Sequence, residues 1–330
     1  MTTGEVGTSV QSVEQAVAAA AGTQSVAAAR RRSRRTQRLW STLTAYAFIG
    51  PSLIGVLAFL LAPVVIVAVI SLFRWNLLSP PRFVGLGNYR RMAHDGSVWH
   101  SVLVTFGYVL LTIPAQTILA LALAMLLNTG LPGVRALRAA YVIPWMATPV
   151  VMGVVWQWIF DGQHGALNSF LSVFGIDAVN WLHSTSLALP SVAMVGLWSG
   201  TGYTMLFFLA GLQAIPEQMY EAARVDGASP VQQFFRITLP LLRPTLFFVL
   251  VTSIIGSFQV FDTIYSMTAP VQGGPAESTT VLNFQIYRTA FQVFDDGYAS
   301  AIAMLLFGLL LLLTLAQVLY FRKRTTYEYS

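Results

Sequence analysis

Five polar and aromatic residues in the second half of the chain have the types that bind small hydroxylated ligands. Gln259 and Tyr265 lie within a turn of Asp262, and Trp198 and Tyr203 lie beside glycines in an earlier apolar run. Small-molecule sites combine aromatic walls with a few placed amides and carboxylates, so this set suits a path for sugars. One alternative remains open: Asp262 is a solvated carboxylate, and the aromatic residues form the belt that marks a membrane surface.

Other kinds of chemistry are excluded by what the sequence lacks. It contains no cysteine, so neither a disulfide nor a thiolate metal site can form. The lysine of a phosphate-binding P-loop follows a glycine, whereas the only lysine here, Lys323, follows Arg322. The four histidines are scattered without metal-ligand spacing. We therefore expect no catalytic residue, no metal and no cofactor in this chain, and any energy from ATP must come through a partner.

One polar stretch, Ile215–Pro244, interrupts the apolar sequence and predicts two short helices. Pro216 is suited to the first helical position, and Glu217 to the first turn, where the helix dipole favours a carboxylate. Gly227 provides a left-handed end for this helix. The second helix is predicted to open with a capping box and to end before a proline: Ser229, Gln232 and Pro240.

The first of these helices is amphipathic, and its exposed face is mixed in charge. Helical spacing places Met219, Tyr220 and Ala223 on one face. The other face carries Glu217, Glu221 and Arg224. A helix that rests on lipid headgroups is usually rich in Lys and Arg on its polar face. Small residues beside an acidic group favour docking against another protein, although the lipid alternative stays open.

The elements that position these residues are membrane spans. The chain has 330 residues, of which 55% are hydrophobic and only 10% charged, whereas a soluble domain carries about 25% charged residues. A span needs about 20 apolar residues, and six segments qualify: Leu43–Phe73, Val102–Leu127, Ala139–Phe160, Leu187–Leu212, Thr245–Tyr265 and Tyr298–Phe321. Prolines in helix interiors cost a hydrogen bond. We therefore expect the first span to be broken at Gly50-Pro51 and Pro63, and to be either kinked or preceded by a helix that lies along the membrane interface.

Arginine placement predicts the orientation of these spans. The cluster from Arg30 to Arg38 precedes the first span and is expected to stay in the cytoplasm. Six spans return the C-terminus to the same side, which gives 14 Lys and Arg inside and 5 outside. The predicted organisation is a basic N-terminal tail over residues 1–38, a six-span domain over 39–325 that includes the 215–244 loop, and a short cytoplasmic tail over 326–330.

The polar stretch carries a resemblance to a known family. Glu-Ala-Ala, three residues, Gly, nine residues and Ile-x-Leu-Pro is the pattern of the EAA loop in permease subunits of binding-protein-dependent ABC importers. The matching positions in this sequence are Glu221, Ala222, Ala223, Gly227, Ile237, Leu239 and Pro240. On these residues the chain resembles that family. Asp226 lies within the matching segment, directly before Gly227.

The resemblance implies an all-α type I importer permease with six transmembrane helices, in the bacterial cytoplasmic membrane with both termini cytoplasmic. It also implies that the first loop helix couples to an ATPase, with Glu221 facing basic groups of that partner and Gly227 making the bend. The implied partners are a second permease subunit, two ATP-binding cassette subunits that hold ATP and Mg, and an extracytoplasmic solute-binding protein.

Two further segments resemble the carbohydrate branch of that family, in the first of its two permease subunits. They are Phe83–Met92 and Val271–Phe291. The sequence departs from the family where four residues separate Thr268 from Gly273, and where Val104-Thr105 replaces an Asn-Thr pair. Because these departures touch the side that meets substrate, polyol phosphates remain an alternative, with Arg288 as a phosphate ligand.

Two other classes are less favoured. A self-sufficient secondary transporter is expected to carry ionisable residues near the membrane midplane, and the predicted spans have none there. A membrane glycosyltransferase would need paired carboxylates at a lipid-facing loop. The pair Asp295-Asp296 lies next to Gly297 and is predicted to end a helix.

Overall fold

The computed structural model describes residues 46–130, 132–269 and 271–322. It divides into two units at Ile66 and Val67. The predicted tails over residues 1–38 and 326–330 lie outside the described residues. The helices are α1 (Tyr46–Ile70), α2 (Gly87–Ala93), α3 (Gly96–Leu127), α4 (Val134–Met146), α5 (Pro149–Ile159), α6 (Ala166–Ser172), α7 (Ala188–Gln213), α8 (Glu217–Val225), α9 (Pro230–Leu241), α10 (Arg243–Phe258), α11 (Asp262–Met267), α12 (Leu282–Tyr287) and α13 (Asp296–Arg322). Strand β1 (Phe73–Arg74) pairs antiparallel with β2 (Arg82–Phe83).

The predicted all-α membrane architecture is confirmed in outline. Helices α1, α3, α7 and α13 are each long and apolar enough to cross a membrane. Two bent helix pairs, α4 with α5 and α9 with α10, bring the number of crossings to six if each pair is one span. The predicted boundaries of the second, fourth and sixth spans match α3, α7 and α13, although α3 begins earlier because the Asp95 side chain caps its first turn.

The third predicted span, Ala139–Phe160, is wrong as a single helix. Helices α4 and α5 meet at an angle of 96°. The backbone between them is extended at Ala147 and Thr148. The residue before a proline is disfavoured in the α conformation, so Pro149 ends α4 and opens α5 at its own first position.

The fifth predicted span, Thr245–Tyr265, also differs from the structure. Helix α10 ends at Phe258, and the backbone of Phe261 (φ −146°, ψ −59°) is not helical. Asp262 then starts the separate helix α11. The break places Gln259 and Asp262 on either side of a non-helical turn rather than at the end of one span.

The predicted breaks at Pro51 and Pro63 are wrong as well, because α1 is continuous from Tyr46 to Ile70, whereas the predicted kink stays a prediction. A π-helical turn at Leu57–Leu61 precedes Pro63, and the N–H of Ala62 donates to the carbonyl of Leu57. Such wider turns change the hydrogen-bond register within a helix. The helix thereby accommodates a residue that has no N–H of its own.

Helices α3 and α7 form the central pair of the second unit, and they run parallel. A side chain added at Gly196 would meet Tyr108, and one added at Gly200 would meet Gln116. At Gly202 an added Cβ would strike the backbone carbonyl of Tyr141 in α4. These glycines therefore serve helix packing, since small residues let helices approach closely in a membrane.

Helix α10 runs opposite to this pair, and α13 runs parallel to it. Phe106 in α3 meets Phe258 in α10 with ring centroids 5.1 Å apart. Phe247 at the other end of α10 meets Phe321 of α13, also at 5.1 Å. The loop end of the second unit is the end that carries residues 128–130, 132–135, 214–242 and 322. The opposite end carries residues 71–101, 160–187, 262–269 and 271–297.

Candidate functional site: an exposed helical loop and two aromatic groups

Helix α8 forms the outermost part of the 215–244 loop. Pro216 is its N-cap, with an extended backbone, rather than the first helical residue that the sequence predicted. The helix ends at Val225, and Gly227 follows with φ +75°. No side chain lies within 4 Å of a Cβ added at this glycine. The requirement for glycine is therefore conformational, since a left-handed backbone is strained for other residues.

Helix α9 begins as predicted, with a complete capping box. The N–H of Ser229 donates to Gln232 Oε1 at 2.9 Å, and the N–H of Gln232 donates to Ser229 Oγ at 3.3 Å. The predicted end before Pro240 is wrong, because the helix continues to Leu241 through a π-helical turn at Phe234–Thr238. At the end of that turn the N–H of Leu239 donates to the Phe234 carbonyl. This wider hydrogen-bond spacing lets the helix continue through the proline.

The two faces of α8 have different environments. Tyr220 and Ala223 are partly buried, and the Tyr220 hydroxyl lies 3.0 Å from Thr238 Oγ1 in α9. Met219 was predicted to share this inner face, but its side chain is 44% exposed. The predicted coupling residues on the outer side are all exposed: Glu221, Ala222, Asp226 and Gly227. Val225 beside them is 88% exposed.

The inner side of the loop rests on the ends of α3 and α7 across a cavity of about 220 Å³. Asn128, Leu212 and Tyr220 line it from three different segments. The motif residues Ile237, Leu239 and Pro240 are partly buried in the π-helical turn and the last turn of α9. The loop is thus joined to the spans through α9, while α8 stands outside with its charged face free of ion pairs to the described residues.

The five predicted substrate-path residues fall into two groups. Tyr203 stacks on Trp145 of α4, with ring centroids 4.1 Å apart and planes 6° from parallel. Trp198 instead meets Trp156 of α5 edge to face at 5.3 Å. Trp156 packs on the same apolar cluster as Tyr265, so Trp198 belongs with the second group and Tyr203 does not.

The second group surrounds the break between α10 and α11. Tyr265 lies 5.5 Å from Tyr287, measured between ring centroids, and 5.4 Å from Phe261. The side chains of Gln259 and Asp262 are exposed, and the Gln259 carbonyl accepts a hydrogen bond from Asn283 at 2.9 Å. The structure therefore brings Gln259, Asp262 and Tyr265 together beside stacked aromatic rings.

A buried polar strip on α3 was missed by the sequence analysis. Tyr108, Thr112 and Gln116 follow one another at intervals of four residues, which places them on one helix face. All three are buried against α7, where Gln116 Nε2 donates to Thr204 Oγ1 at 2.7 Å. The four-residue spacing of polar side chains in an apolar span was the available signal.

The opposite end is tied together by charged side chains. Arg91 Nη1 lies 2.6 Å from Asp295 Oδ2, and its guanidinium lies 3.9 Å above the Tyr298 ring centroid. The Tyr298 hydroxyl donates to Asp95 Oδ2 at 2.6 Å. Helix α13 begins at Asp296, directly after Asp295, contrary to the prediction that this pair ends a helix.

The electrostatics of Asp95 follow from its partners. Burial acts to raise its pKa, but hydrogen bonds from Tyr298 and Ser97 outweigh burial and leave the pKa below the ordinary value of 3.8.

Nearby, Arg288 is bound to Glu277 at 2.6 Å and to Gln285 at 2.8 Å. Its charge is therefore already neutralised by a carboxylate.

Comparison with known proteins places this arrangement in context. Residues 90–327 match the family described as the inner membrane component of binding-protein-dependent transport systems. The chain is 38% identical over 271 residues to the trehalose/maltose transport system permease MalF of Thermococcus litoralis, which covers 82% of this chain and 90% of that protein. It is 34% identical over 278 residues to the sulfoquinovosyl glycerol permease SmoG of Agrobacterium fabrum, with 84% and 89% covered.

A phosphate-ester transporter and a solved structure are also similar. The sn-glycerol-3-phosphate permease UgpA of Shigella flexneri is 33% identical over 249 residues, covering 75% of this chain and 83% of that protein. A chain of a bacterial alginate ABC transporter, solved in complex with an alginate pentasaccharide-bound periplasmic protein, superposes with a TM-score of 0.74 at 23% identity. It covers 85% of this chain and 96% of its own length. At that identity the likeness concerns the fold.

Proposed function

Because the chain belongs to the family of binding-protein-dependent transport system inner membrane components, we propose that it is one of two permease subunits of an ATP-driven sugar importer. The chain forms half of the translocation path and pairs with a second permease. Two ATP-binding cassette subunits bind ATP and Mg at the loop end, and a solute-binding protein docks at the opposite end. This chain holds no cofactor of its own, and its termini lie on the ATPase side.

The observation that carries the proposal is the construction of α8. The helix is capped, turned back by Gly227 and exposed along Glu221, Ala222 and Asp226. Val225 adds an apolar side chain that is 88% exposed. A small-residue face with an apolar tip and an acidic group fits a cleft in a protein, because close approach buries apolar surface while the carboxylate meets a basic group.

Movement of the docked helix reaches the spans through α9. The Tyr220 hydroxyl contacts Thr238, and Thr238 lies in the π-helical turn that leads to Pro240. Helix α10 begins after a 65° bend at Leu242. A displacement of α8 is thereby passed to the base of α10, whose far end carries Gln259. ATP binding would draw the two coupling helices together and open the path on the opposite side.

We propose sugars rather than phosphate esters as substrates. The one arginine that suited a phosphate ligand, Arg288, is paired with Glu277. No lysine or arginine occurs within α3 or α7. Stacked aromatic rings beside an amide and a carboxylate suit the apolar faces and hydroxyls of a sugar, and Gln259, Asp262, Tyr265 and Trp198 are the contacts we assign.

The coupling assignment is tested with Glu221→Lys. Reversal of this charge is expected to abolish solute uptake in vesicles, to reduce ATPase subunits co-purifying with the chain, and to leave its membrane abundance unchanged. Asp177→Lys is the matched control, because Asp177 is an equally exposed carboxylate at the opposite end, and it is expected to retain ATPase binding. Normal assembly and uptake in Glu221→Lys would show that α8 is not the docking helix.

A further inference from the structure

A short apolar segment at the opposite end is exposed without a protein partner in the described chain. Residues 162–176 contain helix α6 and no Asp, Glu, Lys or Arg. The exposed fractions on its outward side are 61% for Phe170, 79% for Val173, 66% for Phe174 and 48% for Ile176. Phe170 and Phe174 also contact each other, with ring centroids 5.3 Å apart. Four large apolar side chains thus share one outward surface.

The inward side of α6 is held firmly. Asn168 is buried, and its amide donates to the carbonyls of Gly162 at 3.0 Å and Val179 at 2.9 Å. Its oxygen accepts from Trp181 Nε1 at 2.9 Å. Leu167 packs against the neighbouring apolar cluster. The contacts of Asn168 and Leu167 therefore fix the orientation of α6 and keep Phe170 and Phe174 on its outward side.

The position of α6 relative to a bilayer follows from its connection to α5. Only six residues, 160–165, separate the two helices, and the N–H of Gly165 donates to the Asp161 carbonyl directly after α5. Trp158 in the last turn of α5 is 76% exposed, and tryptophan collects at the level of lipid headgroups. We therefore expect the α6 segment at the level of the lipid headgroups.

We propose that the outward face of α6 inserts into the boundary between headgroups and acyl chains and anchors this end of the chain to lipid. No charged side chain interrupts this face between Phe170 and Ile176, and the exposed carboxylates of Asp161 and Asp177 lie at the two ends of the segment. An amphipathic helix with large apolar residues on one face lies in the interface plane with that face buried. The anchor positions Asp161 and the end of α5 at a constant depth.

The native chain has no cysteine, so one introduced cysteine gives one labelled position in this chain, and the cysteines of the associated subunits are replaced beforehand. Val173→Cys is labelled in the full chain, purified with its associated subunits and placed in lipid nanodiscs. Thr185→Cys serves as the control, because Thr185 is also exposed in the loop between α5 and α7 but has polar neighbours. Collisions with oxygen, which dissolves in lipid, are compared with collisions with a water-soluble nickel chelate.

The proposal predicts an oxygen-to-nickel accessibility ratio several-fold higher at Val173 than at Thr185. A label at Phe170→Cys should give the same high ratio. Preferential collision with nickel at Val173 would overturn the proposal in favour of a hydrated surface. An immobilised label shielded from both reagents would overturn it in favour of a protein partner on this face.

Discussion

The two ends of the second unit are held by interactions of different range. At the loop end, the described bonds of α8 and α9 join residues that are close in sequence, such as Ser229 with Gln232 and Tyr220 with Thr238. At the opposite end, Arg91 binds Asp295 and Tyr298 binds Asp95 across 204 and 203 positions. The hydrogen bonds of α8 and α9 are thus local, whereas those of the opposite end join distant helices.

The difference indicates which end can move as a separate piece. The hydrogen bond between Tyr298 and Asp95 fixes the starts of α3 and α13 relative to each other. The loop carries its own caps and its own turn, and its outer helix is exposed. A partner can therefore hold α8 without opening the bonds that maintain the fold, which is the property that a coupling element requires.

The largest effect is expected from Gly227→Val, which removes the turn that separates α8 from α9. A β-branched residue at φ +75° is strained by about 1–3 kcal/mol, because its Cβ crowds its own backbone. A Cβ added at Gly227 meets no other residue within 4 Å, so clashes with neighbours do not contribute. We expect loss of uptake and of ATPase co-purification. Gly227→Asn is the control, since asparagine visits the left-handed region, and it should retain most of both. Equal activity in the two variants would show that the turn is dispensable.

A moderate effect is expected from Tyr298→Phe, which removes one long-range bond and keeps the buried ring. Hydrogen bonds to charged groups contribute about 1.5–3 kcal/mol and neutral ones about 0.5–1.5 kcal/mol. Tyr89→Phe is the matched control, because the Tyr89 hydroxyl lies 2.7 Å from the neutral Ser71 hydroxyl. Thermal unfolding of the purified proteins should show a larger loss for Tyr298→Phe, and equal losses would contradict the role of the Asp95 charge.

The smallest effect is expected in the pH dependence of stability. Because the pKa of Asp95 is lower in the folded chain than its ordinary value, its contribution is present above the unfolded pKa and is lost as pH falls through the folded pKa. Wild-type protein should lose more stability than Tyr298→Phe between about pH 6 and pH 3. Unfolding curves of both proteins measured at each end of this pH range test the prediction. Equal losses of stability would show that the hydrogen bond from Tyr298 does not lower the pKa of Asp95.

Local rules explain the parts of the fold that the sequence analysis predicted correctly. The capping box at Ser229 and the left-handed Gly227 depend on residues within one turn, and such signals are readable without a structure. The break before Pro149 could have been predicted in the same way, but the apolar sequence on both sides of it was interpreted as a single span. The π-helical turn at Phe234–Thr238 could not be predicted from the sequence, because a π-helical turn has no characteristic residue composition.

The candidate substrate path was only partly predictable for a different reason. Residue type identified Tyr203 and Trp198, but the partner of each ring is set by helix packing: Trp145 for one and Trp156 for the other. Both partners come from the bent α4–α5 pair, whose 96° angle was not predicted. The separation of Tyr203 from the Asp262 group therefore needed the three-dimensional arrangement.

The most direct test of the central claim is site-specific photo-crosslinking at α8. Benzoylphenylalanine is placed at Val225, which is 88% exposed, and in a second protein at Thr185 at the opposite end. Membranes that contain the assembled transporter are irradiated, and adducts are identified by mass spectrometry. Our account predicts an adduct between Val225 and an ATP-binding cassette subunit and none at Thr185. An adduct of Val225 with lipid alone, or with a subunit that lacks an ATP-binding cassette, would contradict it.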